Sequence, residues 1–90
     1  MASRKEFLDY VLSQFPPGVT FRPMMGEYLL YYRGRLFGGI YDDRLLIKPF
    51  PGAETLFPSG ETAIPYPGAK PLLKADPDDG DTLARLVSFF

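Results

Sequence analysis

The strongest constraint on the fold of this chain lies between Arg22 and Lys48, in the stretch RPMMGEYLLYYRGRLFGGIYDDRLLIK. Three alternating apolar runs are separated by two two-residue turn candidates, Arg33-Gly34 and Asp42-Asp43. Tight two-residue turns join antiparallel neighbours, so the spacing predicts a three-stranded meander in which Tyr32 faces Arg35 and Tyr41 faces Arg44. Unbroken alternation then divides the side chains between two faces. Leu29, Tyr31, Leu36, Gly38, Ile40, Leu45 and Ile47 carry no charge and are assigned to the core. Tyr28, Leu30, Tyr32, Arg35, Phe37, Gly39, Tyr41, Arg44, Leu46 and Lys48 form a second face, aromatic and basic together.

Helices are expected to cover the apolar face. Ser3 with Glu6 has the form of a capping box. Phe7, Leu8, Val11, Leu12 and Phe15 follow at helical spacing, and Pro16-Pro17-Gly18 ends the run. Val19-Thr20-Phe21 is β-prone and reads as a first strand or an extended entry to Arg22-Pro23. Near the other end, Asp78 with Asp81 has the character of an N-cap pair. Leu83, Leu86, Val87 and Phe90 complete a second amphipathic helix. Residues 49–71 hold six of the ten prolines, with one helical turn expected over Ala53 to Phe57. Leu72-Leu73-Lys74 reads as a short final strand. The sum is an α+β two-layer sandwich: an antiparallel sheet with a central three-strand meander, packed by N- and C-terminal helices, in a single domain spanning residues 1–90.

Composition narrows the chemistry. There is no cysteine and no histidine, which removes thiolate sites, the commonest metal ligand and the commonest general base. Ser3, Ser13, Ser59 and Ser88 therefore have no imidazole to activate them. The cluster Asp76 to Asp81 lacks the spacing of a calcium loop. No metal or cofactor is expected, and an enzyme is disfavoured. The net charge of −1 argues against a general polyanion binder. No apolar run approaches the ~20 residues of a membrane span, so a cytoplasmic, membrane-free protein is expected.

The motif residues also carry a resemblance. Arg22-Pro-Met24-Met25-Gly26-Glu27-Tyr28, the Gly34 turn, Phe37-Gly38, Asp42-Asp43, Lys48 and Tyr66-Pro67-Gly68-Ala69-Lys70-Pro71 resemble the TfoX N-terminal domain family, named for a bacterial competence regulator. The resemblance spans nearly the whole chain. Leu29 stands where members often carry glycine, and Arg33 where aspartate usually precedes the turn glycine. The further C-terminal domain of the two-domain regulators is absent from the sequence, which points to a standalone form. What the resemblance implies is a secretion-chaperone-like fold, a regulatory setting and frequent dimerisation, with no transferable catalytic residue.

Three candidate sites follow. The aromatic and basic face offers Tyr28, Tyr32, Phe37 and Tyr41 beside Arg35, Arg44 and Lys48. It is either covered by the proline-rich segment, buried in a homodimer, or free to stack bases and hold phosphates. Arg22 and Glu27 flank Met24-Met25-Gly26 and form either a polar site or a structural ion pair fixing the entry to the sheet, with Lys48 or Lys70 as partner. Tyr66 and Lys70 sit in what is either a rigid recognition loop or a return turn. The preferred reading is a non-enzymatic module working through a protein partner in bacterial regulation. Nucleic-acid binding by the sheet face is second, and a small-ligand sensor or enzyme around Arg22, Glu27 and Lys48 is third.

Overall fold

A computed structural model describes residues 2–90. Helix α1 (Lys5–Gln14) is followed by strands β1 (Val19–Met24), β2 (Glu27–Tyr32), β3 (Arg35–Tyr41) and β4 (Arg44–Ile47). A 3-10 turn at Ala53–Thr55, the short strands β5 (Thr62–Ala63) and β6 (Leu72–Lys74), helix α2 (Gly80–Leu86) and a terminal 3-10 turn at Val87–Phe89 complete the chain. All pairings are antiparallel, and the sheet runs β1-β2-β3-β4-β6-β5. The fold is the α+β sandwich that the hydrophobic pattern predicts, with both helices on one face.

The meander is one strand longer than the sequence suggested, because Met25-Gly26 is a third two-residue turn joining β1 to β2. Met25, Gly26, Arg33, Gly34, Asp42 and Asp43 all have positive φ, the paired left-handed conformation that matches the twist of a tight hairpin. The pairs Tyr32–Arg35 and Tyr41–Arg44 form as expected.

The face assignment needs correction on one side of β3. Leu30 pairs with Gly38 and Tyr31 with Leu36, which leaves Phe37 without a partner on β2. This bulge shifts the parity by one residue, so β2 is inverted relative to β3–β4. Leu30 and Phe37 therefore join Ile40, Leu45 and Ile47 in the core, and Tyr28 and Tyr32 pack against it. Leu29, Tyr31 and Leu36, expected inside, are only half-buried on the opposite face. Phe37 is fully buried edge-on to Phe15, with centroids 5.4 Å apart, and also meets Phe90. It is a core residue rather than part of a binding face.

Helix α1 contributes Leu8, Val11 and Phe15 to this core, and the C-terminal segment contributes Leu83, Leu86 and Val87. Phe15 turns extended before Pro16, the conformation that a residue preceding proline prefers. The cap of α2 is Asp79 rather than Asp78, its carboxylate accepting from the Thr82 backbone N–H and hydroxyl. The first part of the proline-rich connection sends Ala53 and Leu56 into the core, where Phe50 meets Phe57, Phe89 and Phe90. Its second part crosses the far side of the sheet, and that crossing creates the site.

Candidate functional site

The helix-free face of β3–β4 carries Gly39, Tyr41, Arg44 and Leu46, by the pairs Gly39–Leu46 and Tyr41–Arg44. Tyr41 and Leu46 are buried yet lie outside the main core, and the segment around Ile64–Tyr66 lies against Tyr41. Pro65 is itself buried, and the Tyr66 ring stands edge-on to Tyr41 at 6.2 Å. Arg44 straps the crossing segment down. Its Nε donates to the Tyr41 carbonyl at 3.0 Å, and Nη2 donates to the carbonyls of Ile64 and Pro65 at 3.2 and 3.4 Å. A planar guanidinium with several fixed donors suits this bridging of three carbonyls.

Three recesses surround the Pro65-Tyr66 ridge. One of ≈370 Å³ is lined by Met24, Met25, Glu27, Tyr41, Pro65 and Tyr66. A second, ≈310 Å³, includes Leu36, Tyr41, Lys48, Tyr66, Lys70 and Leu72. The third, ≈390 Å³, lies between Glu27, Asp42, Arg44 and the Ile64–Pro67 segment. Around them the apolar side chains are unusually open: Met25 is 98% exposed, and Ile64 and Tyr66 are each 52% exposed.

Glu27 sits at the base of this region as a structural node. Its Oε1 accepts from the Ser3 hydroxyl at 2.6 Å, and both oxygens accept from the Asp42 backbone N–H at 3.2 and 3.1 Å. Ser3 is buried, its Oγ also accepting from the Asp43 N–H at 3.0 Å and its own N–H donating to the Gly26 carbonyl. Ser3 therefore stitches two hairpin tips together instead of capping α1, whose N-cap is Arg4 and which has no side-chain cap bond. Arg4 continues the stitch: its N–H and Nε donate to the Asp43 carboxylate at 2.8 and 2.9 Å. The Arg4 backbone N–H first, and then its guanidinium, hold the Asp43 carboxyl below the ordinary carboxylate range. Burial first, with Tyr66, Glu27 and Tyr31 adding to it, pushes the Tyr41 phenol upward.

The residues singled out from the sequence are thus partly gathered and partly dispersed. Met24, Glu27, Tyr41, Arg44, Lys48, Tyr66 and Lys70 meet around the ridge. Arg22 does not: it is exposed on β1 with its guanidinium 6.0 Å from the Tyr31 ring centroid, so no Arg22–Glu27 pair forms. Tyr32 packs on the core beneath the Arg33 guanidinium, and Arg35 is exposed at the start of β3. Met25, Ile64 and Pro65 were not anticipated as site residues. For Met25 a signal was present, since the Met-Gly step between two apolar runs is itself a hairpin turn that exposes its first residue.

Among the described residues, no group of three or more His, Cys, Asp or Glu side chains could hold a metal ion, and no helix is long and apolar enough to cross a membrane. The chain is 36% identical over 78 residues to an uncharacterised 12.7 kDa protein in the trpE 5′ region of Spirochaeta aurantia, a match covering 84% of this chain and 68% of that protein. The chain belongs to that protein's family. The matched length leaves about a third of the spirochaete protein outside the comparison. No family model matches the chain, and no solved structure matches it.

Proposed function

We propose that this protein is a non-enzymatic interaction module that binds a protein partner through the grooved face around Tyr66. The carrying observation is the concentration of open apolar side chains there, Met25, Ile64 and Tyr66, beside a recess floored by Met24, Tyr41 and Pro65. Large exposed apolar groups clustered at a recess and rimmed by charge are the usual composition of a protein-binding surface. Flexible methionine side chains adapt readily to an apolar partner. The resemblance to the TfoX N-terminal domain family adds a bacterial, cytoplasmic and regulatory setting to the proposal.

Binding of single-stranded nucleic acid by the sheet has less support. The rings meant to form its stacking platform are divided between faces: Phe37 is in the core, Tyr32 packs on it, and Tyr41 is only 8% exposed. A ligand site joining Arg22 to Glu27 has no geometry to stand on, because Arg22 sits over Tyr31.

The test is affinity capture from the native host with the wild-type chain and a Met25→Asp/Tyr66→Ala variant, alongside titration of labelled oligonucleotides at two salt concentrations. A defined protein retained by the wild type and lost from the variant supports the reading. Salt-sensitive oligonucleotide binding that the variant leaves intact overturns it in favour of phosphate recognition.

A further inference from the structure

The three recesses differ in charge. Lys48, which follows β4, and Lys70, on the crossing segment, line the ≈310 Å³ recess, where no carboxylate is present. The other two recesses both contain Glu27, and one also contains Asp42. Neither lysine takes part in an ion pair among the described residues, where the three pairs are Arg4–Asp43, Lys5–Asp9 and Lys74–Glu61. Leu36, Pro65 and Leu72 form apolar walls, which strengthen any charge interaction made between them.

Tyr41 supplies a second, independent observation. The residue is only 8% exposed, yet its hydroxyl makes no hydrogen bond with any described residue, and its ring lines both the lysine recess and the methionine recess. No buried side-chain oxygen among the described residues lacks a partner, so the Tyr41 hydroxyl is reached by solvent and is free to donate to a group bound in the groove. Because burial and its neighbours favour the neutral phenol, the hydroxyl retains a proton to donate.

We infer that the lysine recess receives an acidic side chain of the bound partner segment, with Lys48, Lys70 and the Tyr41 hydroxyl as its donors, while a neighbouring apolar side chain of the same segment fills the Met24–Met25 recess. The two recesses share Tyr41, Pro65 and Tyr66, so a segment lying across the Tyr66 ridge reaches both. Glu27 and Asp42, on the far side of the ridge, repel an acidic group and thereby fix the direction in which the segment lies. This assignment rests on the protein-binding reading and adds the chemistry of the partner.

The experiment is selection of a random displayed-peptide library on the full chain, repeated on Tyr66→Ala, Tyr41→Phe, Lys48→Met/Lys70→Met and Lys48→Glu/Lys70→Glu variants. Wild-type selections are expected to enrich Asp or Glu near an apolar residue. The methionine pair weakens the selected peptides about tenfold. Tyr41→Phe weakens them by a similar factor, since a hydrogen bond to a charged group is lost. The glutamate pair shifts enrichment towards Lys and Arg. Both lysines are exposed, and far-UV circular dichroism confirms folding; if the glutamate pair does not fold, the methionine pair decides. Peptides that need Tyr66 but show no acidic enrichment, or that ignore the lysine substitutions, overturn the inference and leave the protein-binding reading standing. A selection that yields no Tyr66-dependent peptide overturns both.

Discussion

Replacing Gly38 with alanine is the sharpest probe of the close β3–β4 packing next to the bulge. A Cβ at this position would lie 2.4 Å from the Leu46 carbonyl oxygen, 3.1 Å from Ile47 Cδ1 and 3.2 Å from Ile47 Cα. The first distance is well inside 3.0 Å, and the obstacle is backbone of the adjoining strand rather than the tip of a flexible side chain. The β3–β4 ladder must therefore part at the Gly38–Ile47 pair, in the middle of the sheet and directly above the core. Overpacking in a core typically costs 1–3 kcal/mol, and a clash with backbone belongs at the upper end, about 3 kcal/mol. Stability for 90 residues is expected to be roughly 5–13 kcal/mol, so this loss is a large fraction of it. The melting temperature should fall by roughly 12–24 °C. Urea unfolding followed by circular dichroism measures the change, with the wild-type m-value retained if only the native state is affected. Gly34→Ala is the comparison: nothing lies within 4 Å of its Cβ, and the only penalty is the +79° φ, worth about 1 kcal/mol. A Gly38→Ala loss no larger than that of Gly34→Ala would refute the close approach of β3 and β4 at Gly38.

Further outcomes test the stitch and the sheet edge. Ser3→Ala removes the hydroxyl that bridges Glu27 and the Asp43 N–H, and is expected to cost about 1–3 kcal/mol in urea unfolding despite lying outside every helix and strand. Asp43, with its folded pKa lowered by Arg4, contributes stability that is present above the unfolded carboxylate value of about 4 and is lost as pH falls through the folded value. Asp43→Asn should accordingly flatten the acid limb of the stability–pH profile, while an unchanged limb would show that Arg4 does not act on this group. The third outcome concerns β1, an edge strand. Because Met24 and Glu27 flank a two-residue turn, alternation turns the Pro23 nitrogen to the free edge, where it offers no donor. Pro23→Val restores that donor and is expected to produce concentration-dependent self-association in light scattering.

How far the fold was legible depended on where the sequence carried local information. The turns at Arg33-Gly34 and Asp42-Asp43 and the apolar stripes of both helices are short-range signals, and the structure uses them all. The β2 face was misassigned because a single extra residue at Phe37 inverts parity without altering hydrophobicity. The Gly38-Gly39 doublet was the available sign, since glycine inside a strand marks a bulge or a close backbone approach. Ser3 illustrates a different limit. Ser3 and Glu6 satisfy the local capping pattern, but Glu27 and Asp43, distant in sequence, compete for the hydroxyl and win. The ridge was half legible: Tyr66, Lys70 and Tyr41 were each named, but their meeting depends on the path of a proline-rich segment for which no periodic signal exists. Arg44 changed role for the same reason, from a candidate phosphate contact to the strap that holds that segment in place.

The most direct test is a nuclear magnetic resonance titration of the isotope-labelled chain with its captured partner or a selected peptide, reading backbone amides and methionine methyls. Perturbations should concentrate on Met24, Met25, Tyr41, Lys48, Ile64, Tyr66 and Lys70, with the β1 amides from Val19 to Arg22 and the exposed faces of α1 and α2 unmoved. Perturbations confined to the β1 edge around Phe21 and Arg22, or to the helices, would contradict the assignment of the grooved face as the binding surface.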